Sequence, residues 1–63
     1  MYILQGTPST PNEYYDTLNT VFGGNTFSTT EAQDALTNVH GITPEAAMRE
    51  LSALLSAGII AEA

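Results

Sequence analysis

Apolar residues recur at helical spacing three times along this chain, and each run is bracketed by start and stop signals. The clearest run is Ile42 to Ile60. Ala47, Leu51, Leu54 and Leu55 share one helical face, with Met48 on its edge. Thr43 supplies a capping hydroxyl, Pro44 suits the first helical position, and Glu45 sits where the helix dipole favours a carboxylate. Ile42 and Ala47 can form a small hydrophobic staple across the cap. Gly58 ends the run as a left-handed cap, which lets Ile59 fold back on Leu54 or Leu55.

The pattern predicts two earlier helices. The first is expected to start at a Thr10 cap, with Pro11 as the first helical residue and Glu13 completing a capping box. Tyr14, Tyr15, Leu18, Val21 and Phe22 form its apolar face, and Gly23-Gly24 stops it. In the second, Ser28 or Thr29 is the cap; from Ser28, Glu31 completes a capping box, and Phe27 and Ala32 make the matching staple. Ala32, Ala35, Leu36 and Val39 point inward, while Gln33, Asp34, Thr37 and Asn38 point outward. His40-Gly41 closes that helix and leaves a tight turn before Thr43, so the second and third helices read as a helix-turn-helix.

Short β-prone segments flank the helices. Met1 to Gln5 and Ile59 to Ala63 read as strands, and pairing between Met1 to Gln5 and Ile59 to Glu62 would cover an apolar edge. Left unpaired, the same two edges would suit pairing with a second subunit. The expected core is Ile3, Leu18, Val21, Phe22, Phe27, Ala32, Leu36, Val39, Ile42, Ala47, Leu51, Leu54, Leu55 and Ile59.

Gly41-Ile42-Thr43-Pro44, Leu51 and Leu54-Leu55-Ser56-Ala57-Gly58-Ile59-Ile60 carry a family resemblance. Together with the helix before them, they resemble the recognition helix and following strand of winged-helix domains in small bacterial and archaeal transcription regulators. The resemblance covers roughly residues 12 to 62 and implies a mainly α, three-helix winged-helix-like core with a minimal sheet. The second strand of a wing hairpin is missing from it. The resemblance also implies that the exposed start of the third helix, at Thr43, Glu45, Ala46, Met48 and Arg49, is the binding face.

Size and charge then narrow the function. A chain of 63 residues is expected to form one domain near the lower limit for a self-sufficient core. It has no cysteine, so no disulfide or thiolate metal site supports it. No apolar run approaches the roughly 20 residues of a membrane helix, and Met1 to Thr10 lacks the charged start of a signal peptide. A soluble, cytoplasmic protein without a membrane partner is expected.

Lys+Arg is 1 against Asp+Glu 7, for a formal net charge of −6. Lysine is absent, a feature shared with salt-adapted (halophile) proteins. Phosphate neutralisation supplies most non-specific DNA affinity. Around Thr43 only Arg49 offers a cation, and Glu45 and Glu50 flank it. The leading reading is therefore a protein-interaction or regulatory module that docks a protein partner or forms a homodimer, with Met48 supplying adaptable apolar contact. The alternative is a DNA-binding transcription regulator of a salt-adapted organism, reading DNA with the helix that starts at Thr43.

Catalytic chemistry finds little support. Nucleophilic catalysis needs a base beside a hydroxyl, and the single histidine, His40, is expected at a helix end, near the last carbonyls or in water. Glu31 and Asp34 read as a solvated face rather than an acid–base pair. No metal-ligand spacing and no phosphate-binding glycine loop is present. No catalytic residue, cofactor, metal or small-molecule substrate is expected.

Overall fold

The computed structural model describes all 63 residues, Met1–Ala63. Strand β1 (Tyr2–Leu4) is followed by helices α1 (Glu13–Phe22), α2 (Thr29–His40) and α3 (Pro44–Ser56), and then by strand β2 (Ile60–Glu62). The fold is mainly α with a minimal two-stranded antiparallel sheet built from the first and last segments.

Two of the three helix starts follow the expected caps. Ser28 accepts from the Glu31 N–H, and the Glu31 carboxylate accepts from the Ser28 N–H, a complete capping box. The Thr43 hydroxyl accepts from the Ala46 N–H at 3.1 Å, with Pro44 in the first turn. The start of α1 differs from expectation. Its cap is Asn12, not Thr10, and Oδ1 accepts from both the Tyr14 and Tyr15 N–H groups at 2.9 and 3.0 Å. A short amide side chain that satisfies two orphan donors outcompetes a capping box begun two residues earlier.

The end of α3 fixes how the chain returns to the sheet. Gly58 has a φ of 75°, its N–H donates to the Leu55 carbonyl, and the Ile59 N–H donates to the Leu54 carbonyl at 3.0 Å. This double closure, with glycine in the left-handed position, is a Schellman motif. It swings Ile59 and Ile60 into the core, at 9% and 3% exposure.

The expected pairing of the two end segments forms. Tyr2 faces Glu62, Ile3 faces Ala61, and Leu4 faces Ile60. Beyond the strands, the Gln5 and Gly6 N–H groups both donate to the Ile59 carbonyl, at 2.9 and 3.1 Å. Gly6 lies so close to that turn that an added Cβ would stand 3.2 Å from the Gly58 carbonyl oxygen. On its other side, β1 bridges to Phe27 through Tyr2: the Tyr2 N–H donates to the Phe27 carbonyl at 2.7 Å and the Phe27 N–H to the Tyr2 carbonyl at 2.9 Å. β1 is thus the central rung between Phe27 and β2.

The core holds Leu18, Phe27, Ala32, Leu36, Ala47, Leu51, Leu54, Ile59 and Ile60. Ile3, Phe22 and Ile42 are half-buried. Val21, Val39 and Leu55 were expected inside and are exposed, at 52, 60 and 42%. Val21 and Val39 border an open hollow with Asp16, Thr17 and Thr20, on a side of the α1–α2 pair that no third element covers. Ile60, which was not among the expected core residues, is buried with them. On α2, Thr37 was expected to face out; its hydroxyl is instead buried and has no hydrogen-bond partner.

Candidate functional site

Helix α3 enters the molecule with its first turn held from two directions. Thr43 caps it, and the Gln33 amide on α2 donates to the Pro44 carbonyl at 3.2 Å. Only Gly41, Ile42 and Thr43 separate α2 from α3, so the two helices are set tightly relative to one another. The expected binding residues therefore stand on a rigid element. Thr43, Glu45 and Arg49 are exposed, whereas Ala46 and Met48 are half-buried, and Met48 packs against the core. The Thr43 hydroxyl is already used by the cap. What the face presents to a partner is one guanidinium, one carboxylate and the outer parts of Ala46 and Met48.

The electrostatics around this face are acidic. The one approach within 4 Å between a basic and an acidic side chain joins His40 and Glu13, so Arg49 has no carboxylate partner at that distance. Glu50, one residue beyond Arg49, lines an open hollow with Glu13 and Asp16 of α1, together with Pro11, Asn12 and Tyr14. Three carboxylates thus border one hollow beside the middle of α3.

On the other flank of α3 lies an apolar cleft of about 50 Å³, bordered by Tyr2, Phe27, Met48, Leu51, Leu55 and Ile60. Met48 links the two regions. The cleft was not anticipated from the sequence, because it forms only once β1 is laid beside Phe27 and β2.

His40 has more structure around it than its place at a helix end suggested. It is not in water: its side chain is 15% exposed and packs against α1. Its Nε2 lies 2.7 Å from the Thr17 hydroxyl, its Nδ1 lies 3.8 Å from a Glu13 carboxylate oxygen, and the Tyr14 ring meets it edge-on at 4.7 Å. A hydroxyl, an imidazole and a carboxylate in line is the arrangement that activates a nucleophile. Here, however, the hydroxyl sits in mid-helix, 3.1 Å from the Glu13 carbonyl, where neighbouring backbone N–H groups are spent on the helix and no oxyanion donor is at hand. The cluster ties the end of α2 to the start of α1.

Replacing Thr17 with the near-isosteric valine would leave the shielded Nε2 of His40 unpaired. Thr17→Val is expected to cost about 1 kcal/mol, read from the midpoint of urea unfolding. The cost should shrink in a His40→Ala background; full additivity of the two substitutions would mean that the contact contributes nothing.

The sequence matches no family model, and no curated protein or solved structure is significantly similar to it. No helix is long and apolar enough to cross a membrane, and no three His, Cys, Asp or Glu side chains come together as a metal-binding group.

Proposed function

We propose that this chain is a small acidic protein-interaction module with a winged-helix-like core, which docks a protein partner or a second copy through the start of α3. Thr43, Glu45, Ala46, Met48 and Arg49 form the docking face, and the domain acts as a cytoplasmic regulatory component without cofactor or substrate. The observation that carries this reading is electrostatic. Glu45 is exposed on the face itself, Glu50 follows Arg49, and Glu50 shares a hollow with Glu13 and Asp16. A duplex laid against α3 would bring its phosphates towards these carboxylates, with one arginine to offset them. A protein surface bearing cations, by contrast, gains from the same arrangement.

The DNA-reading alternative keeps one observation in its favour: Arg49 is exposed and has no carboxylate within 4 Å. Titration with random duplex DNA at low and then high salt, with the molecular mass of the free protein measured alongside, separates the two. The module reading expects no binding even at low salt. Low-salt binding that falls steeply with added salt, and is lost in Arg49→Ala, would overturn it in favour of DNA. A dimeric mass would identify the second copy as the occupant of the α3 face if Met48→Glu returns the protein to a monomer.

A further inference from the structure

Arg49 is the chain's single lysine or arginine, and it is exposed on α3. Glu45, four residues earlier and also exposed, lies on the same side of that helix. Glutamate first and arginine second is the order that suits a pair within one helix, yet the two heads stand more than 4 Å apart. The face therefore presents one unpaired negative and one unpaired positive group, about 6 Å apart along the helix axis.

Two copies of such a face fit each other. Across a two-fold axis contacts come in reciprocal pairs, so an arginine that meets the second copy's glutamate guarantees the converse contact. Antiparallel packing of α3 on α3 about an axis near Met48 brings Arg49 of each copy to Glu45 of the other. The half-buried Met48 chains then meet beside the two ion pairs, where their flexibility suits a shared contact. One turn further on, Ser52 is exposed and small, so no bulky chain holds the helices apart.

Charge decides where a second copy can sit. At −6 per chain, a contact between copies that lacks a cation sets carboxylate against carboxylate. The exposed apolar pair Val21 and Val39 borders Asp16 with no lysine or arginine, and the hollow of Glu13, Asp16 and Glu50 has none either. The outer side of α3 alone carries both signs. The molecule measures 25 × 24 × 20 Å. Carboxylates on the far side of each copy thus lie beyond the Debye length of about 8 Å at physiological salt, and add little repulsion.

We propose that the docking face is self-complementary: two copies of this chain associate through α3, antiparallel, with Arg49 of each paired to Glu45 of the other. The proposal rests on the module reading and names the second copy as the occupant of its face. Contact through one short helix buries less than the roughly 800 Å² per partner of a standard interface. The dimer therefore exchanges with monomer and fills at high protein concentration.

Sedimentation equilibrium up to millimolar protein, at physiological salt, is the test, and the parent chain is expected to dimerise. Glu45→Arg and Arg49→Glu each set like charges together twice, and each weakens the dimer by about tenfold or more. Mixing these two variants restores association as a heterodimer, because each face then carries one sign only. A variant carrying both Glu45→Arg and Arg49→Glu regains the homodimer at an unchanged net charge of −6. Val39→Ser leaves the dimer intact. Melting curves verify that each variant is folded. Should a reversal unfold the chain, Glu45→Gln and Arg49→Gln remove one charge each and weaken the dimer by about twofold or more.

A monomer at every concentration would overturn the proposal and leave the module reading standing, with a foreign protein as its occupant. A dimer that ignores the charge changes, fails to re-form on mixing, or is lost in Val39→Ser would also overturn it. DNA binding in the salt titration described above would remove both readings.

Discussion

Leu51→Ala should leave this chain unfolded at room temperature. Leu51 is 6% exposed in the middle of α3, within the single buried cluster, and it also borders the cleft towards Ile60. Truncating a buried leucine costs about 2–5 kcal/mol, through lost transfer energy and the cavity left behind. At the usual 0.05–0.15 kcal/mol per residue, a chain of this length has about 3–9 kcal/mol of total stability. The nine core residues include two alanines, so few large side chains share the load. Far-UV circular dichroism against temperature is the readout. A cooperative melt close to that of the parent chain would show that Leu51 is not central to the core.

Phe27→Ala is expected to be as damaging, for a different reason. The ring is fully buried and stacks on Phe22 at 4.6 Å with 20° between planes, while Tyr2 leans on it at 6.4 Å. Losing a buried phenylalanine costs about 3–5 kcal/mol. The residue's backbone also holds β1 through two hydrogen bonds. An alanine there removes the surface against which Tyr2 is laid, so the sheet should loosen along with the core. Phe27→Leu keeps most of the volume but not the stacking, and should fold with a melting temperature lower by about 5–10 °C. If Phe27→Ala melted cooperatively with the β1 amides still protected from exchange, Phe27 would not be the link between sheet and helices.

The helices were legible where local chemistry decides them. Ser28 with Glu31, and Thr43 with Pro44, carry their start signals in adjacent residues, and Gly58 carries the stop. Asn12 shows the limit: the sequence reads as a helix start at Thr10-Pro11, whereas the cap is Asn12, whose side chain reaches two N–H groups at once. Burial was less legible, because periodicity shows which face is apolar but not how far the opposite layer extends. Val21 and Val39 lie on the correct faces yet beyond the reach of any covering element. Ile59 was expected inside, whereas Ile60 reads only as a strand residue beside it, and the turn at Gly58 carries it into the core as well.

Of the candidate site, the exposed start of α3 and its shortage of cations could be read directly. The meeting of Glu50 with Glu13 and Asp16, the contact of His40 with Thr17, and the cleft beside Leu55 each join residues far apart in the chain. No spacing rule reports such contacts. The solitary histidine next to a helix stop was the one available signal for the α1–α2 tie, and it pointed equally to solvent.

The placement of β1 between Phe27 and β2 also sets the order in which the molecule can assemble. Each helix, and the turn between α2 and α3, closes over a few residues and costs little chain entropy. The ladder of Tyr2 to Leu4 with Ile60 to Glu62 instead joins segments separated by nearly the whole length of the chain, and closing so large a loop is repaid only after the helices have drawn its ends together. The helical hairpins form first, and the first few residues are the last to find their place.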